Sequence, residues 1–458
     1  MASLVGSFLS FILHPEEAYS LLSLKRRSMV QARNLSPDPN WQFCYEFLNK
    51  VSRSFAMVIM ELGEELRNPI CVFYLILRGL DTVEDDTRIS PKERAVLCKD
   101  FYKVLRQKGW HTEKHGSGAE KELLKNFHIV IDCFGGLAEP YQNVIVDITQ
   151  RMGSGMAKYI SSHECKTVSE YDEYCYYVAG LVGIGLTRMF AIVDAVDPTF
   201  CSKEYLSNSM GLFLQKTNII RDYLEDIEEG RTFWPREIWE LYASKLEDFK
   251  DPANMEGATR CLNHLVTDAL RHVPDCLEYL AGAKDPKVFN FVSIPQVMAI
   301  ATLAECYDNP KVFCCKVKVR RGVTAKLVMK STNMKNIYQI FYRYAVSIRD
   351  RIPPQDPNAS QTRQALDTII AKCMSYVPVT PDLTLANRVS LLLFAVLSAY
   401  LLHRRKENAG EGTIWRRGGV PQACDVLAVV AFFAVMIYLL TFFGLQFVKP
   451  QYNSESTN

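Results

Sequence analysis

Two short acidic motifs constrain this chain more than any other feature. Asp81-Thr-Val-Glu84-Asp85 and Asp222-Tyr-Leu-Glu225-Asp226 both read D-x-x-E-D and lie 141 residues apart. On a helix, positions i, i+3 and i+4 share a face, so each motif gathers its carboxylates on one side. Like charges at that spacing repel, and a solvated acidic face would be the ordinary explanation for either motif alone. The flanks point elsewhere. Cys71–Leu80 (CVFYLILRGL) is apolar nearly all round, so the helix entering Asp81 should be buried. Its polar members Tyr74 and Arg78 form one stripe with Asp81 and Asp85. Further on, Gln215, Asn218, Asp222 and Asp226 make a second stripe among Leu212, Phe213, Leu214, Ile219, Ile220, Leu224 and Ile227. Two buried helices, each with a polar line, should face one another across a cavity. Buried charge needs counter-charge. Carboxylates suit Mg²⁺, which keeps waters and takes phosphate oxygens as further ligands, so Mg²⁺ with a diphosphate would satisfy both stripes.

The rest of the chain supports a helical body. Up to about Ile352, apolar residues recur at intervals of three and four, and strand-type alternation is scarce. No repeat of solenoid period is found. Pro353, Pro354 and Pro357 close this region, so residues 1–352 are expected to be one catalytic domain. A proline-containing linker over 353–388 should lead to two apolar runs. Val389–Leu402 is short for a span and suits an interfacial, re-entrant or hairpin segment. Val426–Val448 has 23 residues and no charge, which is long enough to cross a bilayer. Basic residues Arg404, Arg405, Lys406, Arg416 and Arg417 lie between the runs, and the positive-inside rule puts them in the cytosol. The expected arrangement is a tail anchor with the body on the cytosolic side.

Charge and cysteine content exclude other classes. Lys and Arg total 53 against 51 Asp and Glu, so no bulk positive field collects nucleic acid. The 14 cysteines show no C-x-x-C spacing. The apolar stretch Ala2–Leu13 has no basic residues before it, as a signal peptide would, and reads as a helix touching a surface or membrane. Reduced thiols in a cytosol-facing protein follow. His111 and His115 lack a third ligand nearby, so zinc has no support. The closest approach to a dinucleotide fingerprint is Gly180-Leu-Val-Gly183-Ile-Gly185, which lacks its third glycine and any βαβ setting. These glycines read as close helix contacts.

DTVEDD and NIIRDYLEDI, with YCYYVAGLVGIG between them, resemble the squalene synthase family (farnesyl-diphosphate farnesyltransferases). SRSF at Ser52–Phe55, GRTFWP at Gly230–Pro235, FNF with IPQVMAIATLAECY at Phe289–Tyr307, and KVRRG at Lys318–Gly322 are similar to that family as well. The acidic pair alone would only indicate a head-to-head prenyl synthase, a group that includes phytoene synthase. The resemblance implies an all-α isoprenoid-synthase bundle around one large central cavity. It implies that two farnesyl diphosphates join to presqualene diphosphate, which is then reduced with NADPH to squalene. It also implies Mg²⁺ and anchoring in the endoplasmic reticulum membrane. A reductant-free phytoene or dehydrosqualene synthase, a related enzyme with altered product, and an inactive tail-anchored helical scaffold are the rivals. No strong oligomer signal is visible, and a monomer is expected.

On this resemblance Asp81, Glu84, Asp85, Asp222 and Asp226 are the expected Mg²⁺ ligands, with Glu225 ranked lower. Arg53, Arg78 and Arg221 would donate to phosphate oxygens and, with Lys318 and Arg320, take the cofactor. Lys316–Gly322 alternates basic and apolar residues before a glycine, which suits an extended flap over phosphates. Ser52, Ser54, Tyr74, Gln215, Asn218 and Arg231 are expected at the substrate, and Phe55 and Phe291 as rings lining the cavity. Ring faces near a carbocation stabilise it by about 0.5–2 kcal/mol each. Tyr171, Tyr174, Tyr176 and Tyr177 are four candidates for proton transfer, and composition does not choose among them. The resemblance selects Tyr174. The diphosphate is the other acceptor.

Overall fold

The structure is a computed structural model that describes residues 36–374 apart from 161–163, short stretches between 17 and 26, and residue 376. The side chains of Arg53 and Ser54 lie outside that description, as do the apolar runs Ala2–Leu13, Val389–Leu402 and Val426–Val448.

Helix follows helix in chain order: α1 Pro39–Glu61, α2 Glu64–Glu84, α3 Pro91–Asp100, α4 Gly118–Lys125, α5 Phe127–Gly135, α6 Glu139–Ile160 and α7 Val168–Cys175. A π-helical turn, Tyr176–Gly180, joins α7 to α8 Leu181–Ile192. Next come α9 Glu204–Arg221, α10 Tyr223–Glu228, α11 Arg236–Trp239, α12 Met255–Leu270 and α13 Val273–Ala281. The last are α14 Pro286–Cys306, α15 Arg321–Lys330, α16 Met334–Arg349 and α17 Ala359–Met374. Among the described residues the only strand-like pairings are two isolated bridges, Glu164 with Thr232 and Val196 with Ala283. The all-α expectation holds.

Local signals start the long helices where expected. Asp38 accepts from the N–H groups of Asn40 and Trp41 ahead of Pro39, and Asp285 accepts from Lys287 and Val288 behind Pro286. α14 is apolar on almost every side because it is buried almost throughout, as a helix without a polar face must be.

α9 is the hub, contacted by the π turn, α8, α12, α13 and α14. Its approach to the preceding helix is as close as backbones allow. A Cβ at Gly183 would sit 2.3 Å from the Ser207 carbonyl oxygen, and one at Gly211 would sit 2.4 Å from that of Ala179. The glycines of YCYYVAGLVGIG are therefore helix contacts, with no strand beside them.

Two expectations need correction. Part of the expected linker is folded: after Pro353 and Pro354 the chain forms α17, which packs on α16 and α12 and buries Leu366, Ile369, Ile370 and Cys373. The prolines stop α16 but do not end the helical body. Secondly, the DYLED motif does not lie on one uninterrupted helix. Asp222 (φ −93°, ψ 14°) caps α9, and α10 begins at Tyr223. The hydrogen bond from Asp226 N–H to the Asp222 carbonyl (2.9 Å) carries the backbone across the break.

The described cysteines are free thiols, most of them buried. His111 and His115 do not meet: Nδ1 of His111 faces the Gly109 carbonyl and that of His115 faces Asp86, which Arg88 grips with a forked pair at 2.7 Å.

Candidate active site

α2 buries Cys71 through Leu77, Tyr74 excepted, and leaves Tyr74, Arg78, Asp81 and Glu84 half-buried along one line. The expected stripe forms through Tyr74, Arg78 and Asp81, but Asp85 leaves it: it caps the end of α2 and is exposed, and Glu84 takes the next half-buried place. Within it the Arg78 guanidinium donates to the Tyr74 hydroxyl (3.0 Å) and lies 3.7 Å from Asp81. Opposite, α9 presents Gln215 and Asn218. The two lines meet across a cavity of about 290 Å³, which Tyr74, Arg78, Asp81, Gln215 and Asn218 all line. Its remaining walls are largely apolar, including Phe55, Phe73, Leu77, Leu214, Phe190 and Phe291. The space is thus charged along one side and oily along the others, the shape needed by a long hydrocarbon with an anionic head. Phe55 stands 39% exposed and its ring lies 6.2 Å from that of Tyr74. Phe291 is buried edge-on against Phe190. Ser52 is buried, and its hydroxyl has no partner among the described residues.

Glu84 and Asp85 continue the acidic line into a neighbouring cavity of about 440 Å³. Tyr174 lines this second cavity and not the first, together with Arg94, Tyr159, Arg231 and Phe233. The other three tyrosines are engaged elsewhere. Tyr171 is buried with the Lys216 ammonium 5.0 Å from its ring, Tyr176 accepts from Arg151 (2.5 Å), and Tyr177 donates to Glu173 (3.4 Å). Tyr174 stacks on Phe233 at 5.0 Å and meets Tyr159 edge-on. Tyr159 and Phe233 had no signal of their own in the sequence beyond Phe233 falling within GRTFWP. Arg94 was missed as well: it donates to the Glu84 carbonyl at 2.7 Å.

The two acidic motifs are brought together at one residue. Arg231 reaches Asp85 at 3.3 Å and Asp226 at 2.9 Å, and so bridges α2 to α10. Its own position follows from the way α10 ends. Gly230 takes a left-handed φ of +72°, Gly230 N–H bonds the Ile227 carbonyl, and Arg231 N–H bonds the Asp226 carbonyl (2.8 Å). This is a Schellman closure, and the positive φ favours glycine. Asp222 does not face the bridge. It takes a forked pair from Arg221, at 2.6 Å and 2.5 Å. Glu225 turns outward to Lys316, whose ammonium holds its carboxyl below the usual range. Lys316 thereby ties the KVRRG approach to the second motif. The expected flap over 316–322 is shorter than the sequence suggested: residues 316–320 are free of helix, with Lys316, Lys318 and Arg320 exposed and Val317 buried, but Arg321 and Gly322 already belong to α15.

Burial dominates the electrostatics of the site. It pushes the carboxyls of Asp81 and Asp226 up to about 6, against the pull of Arg78 and Arg231 respectively. Glu84 lies well above the ordinary range through burial and its neighbours Asp81 and Asp85. The Tyr174 phenol is raised by burial, then by Glu84 and Asp85, so it keeps its proton.

Among the described residues no three His, Cys, Asp or Glu side chains converge on one point as a ready-made metal cage. Mg²⁺ does not require one, since it binds through one or two carboxylates, waters and substrate phosphate. The oxygen-only donors fit such an ion.

Beneath the site lies a network the sequence did not reveal. Lys216 is fully buried, pairing with Asp172 (2.5 Å) and with Asp268, and Arg271 also pairs with both. These charges join α7, which carries Tyr174, to α9 and α12.

Comparison with known proteins agrees with this architecture. The pattern of the squalene/phytoene synthase family matches residues 48–324. Squalene synthase 1 of Arabidopsis thaliana is 47% identical over 374 residues, covering 81% of this chain and 90% of its own. Squalene synthase 1 of Panax ginseng is 47% identical over 372 residues, covering 81% and 88%. The solved structure of TcSQS with the ligand E5700 superposes with a TM-score of 0.72 at 43% identity, covering 74% of this chain and 99% of that one. With the helical bundle, the facing acidic motifs and these likenesses together, the chain belongs to the squalene/phytoene synthase family.

Proposed function

We propose that the chain is a squalene synthase, a farnesyl-diphosphate farnesyltransferase that joins two farnesyl diphosphates to presqualene diphosphate and reduces this to squalene. The carrying observation is the apolar cavity whose polar side is formed by Arg78, Asp81, Gln215 and Asn218, next to the acidic residues bridged by Arg231. The curated relatives at 47% identity support the same chemistry over the reductant-free alternative.

Breaking the allylic C–O bond leaves a carbocation and a diphosphate. Mg²⁺, when bound with diphosphate, supplies positive charge that stabilises the leaving group. Asp81, Glu84 and Asp85 on one side, and Asp222 and Asp226 on the other, would hold it. Arg53, Arg78 and Arg221 suit the phosphate oxygens, as forked donors do. Ser52 brings a hydroxyl that has no partner among the described residues. Ser54 is assigned the same task. Tyr74, Gln215 and Asn218 position the substrate head from the cavity wall. Phe55 and Phe291 line the cavity where the chains lie, and help keep water from trapping the cation. Tyr174 keeps its phenolic proton, so its role is a relay: its oxygen takes the proton lost by the cation as its own O–H passes to a diphosphate oxygen. Lys318 and Arg320 on the exposed flap would hold the phosphates of NADPH, which would supply the hydride for the second half-reaction.

We assign the chain to the endoplasmic reticulum membrane through residues 426–448, with the helical body facing the cytosol as a monomer. Mass-spectrometric product analysis of the purified protein with farnesyl diphosphate and Mg²⁺ tests the function. Squalene should form with NADPH and be absent without it. Squalene formed without NADPH refutes the reductant assignment, and no turnover under either condition refutes the enzyme.

A further inference from the structure

Arg231 is in contact with both acidic motifs. Its guanidinium is 3.3 Å from Asp85, 2.9 Å from Asp226 and 2.8 Å from Glu229. It lies 5.9 Å from the Phe233 ring, and its Nε is buried without an acceptor among the described residues. The Schellman closure at Gly230 aims this side chain by backbone geometry, so the cation is delivered to the gap by the fold. Arg94 and Arg78 lie along the same acidic line, but neither is paired to the second motif.

We propose that Arg231 is an internal counter-cation that holds the two motifs together in the empty enzyme and makes divalent-cation binding depend on diphosphate. This rests on the reading above that the motifs take a cation together with diphosphate. A cation entering between Asp85 and Asp226 meets a guanidinium that already neutralises both carboxylates. Two positive charges cannot share that gap without strong repulsion. The arginine must turn away, and it loses its acceptors unless others replace them. A diphosphate offers those acceptors, in the forked geometry that guanidinium prefers. Diphosphate therefore draws Arg231 off the carboxylates as the cation takes its place, and each ligand strengthens the other. That reciprocity is a thermodynamic necessity once the competition exists. The empty enzyme is thus kept from collecting free cations.

The test measures Mn²⁺ binding by electron paramagnetic resonance on the purified full-length chain, with and without inorganic pyrophosphate. The parent should bind Mn²⁺ alone weakly and much more tightly with pyrophosphate. Arg231→Gln should bind Mn²⁺ alone at least about tenfold more tightly than the parent, and pyrophosphate should then add a smaller factor. Arg231→Lys keeps the charge and should stay near the parent without pyrophosphate. Arg231 is half-exposed, so these variants should fold, and Arg231→Met repeats the neutral test if Gln does not. The proposal is overturned if the neutral variant binds Mn²⁺ alone no more tightly than a parent that still takes up Mn²⁺ with pyrophosphate. A parent that takes up no Mn²⁺ even with pyrophosphate overturns the cation reading as well.

Discussion

Replacing Asp226 by Asn should stabilise the metal-free protein while removing its activity. Asp226 is 8% exposed, and burial lifts its carboxyl from an ordinary 3.8 to about 6 despite the hydrogen bond from Arg231. The sign follows from linkage. Below pH 3.8 the carboxyl is protonated in both folded and unfolded chains and costs nothing. Between 3.8 and about 6 the unfolded chain releases a proton that the native state keeps, so native stability falls as pH rises. Above about 6 the loss is complete. That interval spans roughly two pH units at about 1.4 kcal/mol each, or roughly 3 kcal/mol. Asn resembles the protonated form and still accepts from Arg231, so Asp226→Asn should recover most of that amount at pH 8 and almost none near pH 4. Urea unfolding in the presence of a chelator, at both pH values, measures the difference. Mg²⁺ with pyrophosphate should reverse the order at pH 8, stabilising the parent and not the variant. A variant less stable than the parent at pH 8, or one whose advantage grows toward pH 4, refutes the reasoning.

Other substitutions probe other parts of the structure. Gly211→Ala would place a methyl 2.4 Å from the Ala179 carbonyl, forcing α9 off the π turn; the expected cost is about 1–3 kcal/mol or more, and an unchanged melting temperature contradicts the close contact. Lys216→Met leaves Asp172 and Asp268 without their shared buried ammonium. It should cost about 3–5 kcal/mol in denaturant unfolding, with Asp172→Asn added on top restoring part of the loss if the pairing is the cause. Asp81→Asn should sharply reduce farnesyl diphosphate turnover in a steady-state assay, and a variant with full activity would remove Asp81 from the diphosphate site.

The legibility of the site differed from residue to residue. Tyr74, Arg78 and Asp81 were readable because a regular helix converts spacing into direction, and the apolar flank said that the direction was inward. The same rule failed at Asp222, where the helix breaks and the carboxylate turns to Arg221. Tyr174 could not be told from its three neighbours by spacing, since aromatic residues serve both cores and sites; its stacking on Phe233 beside Glu84 and Asp85 distinguishes it. The folded α17 was hidden by the prolines ahead of it, which end one helix without forbidding another.

Local rules acting along one segment were enough to determine the all-helical body, the buried helix carrying the first acidic motif and the glycine contacts of α8 and α9. Periodicity, capping and the demand to bury apolar surface are written in neighbouring residues. Which charge meets which was decided only by the tertiary structure. The Schellman closure sets Arg231 beside Asp226, five residues earlier, but Asp85 lies 146 residues away, and no local rule relates that separation. Lys216 reads as an unremarkable member of α9, yet it is fully buried between carboxylates of two other helices. Charge pairing depends on distance and local dielectric, and both come into being only when the helices pack.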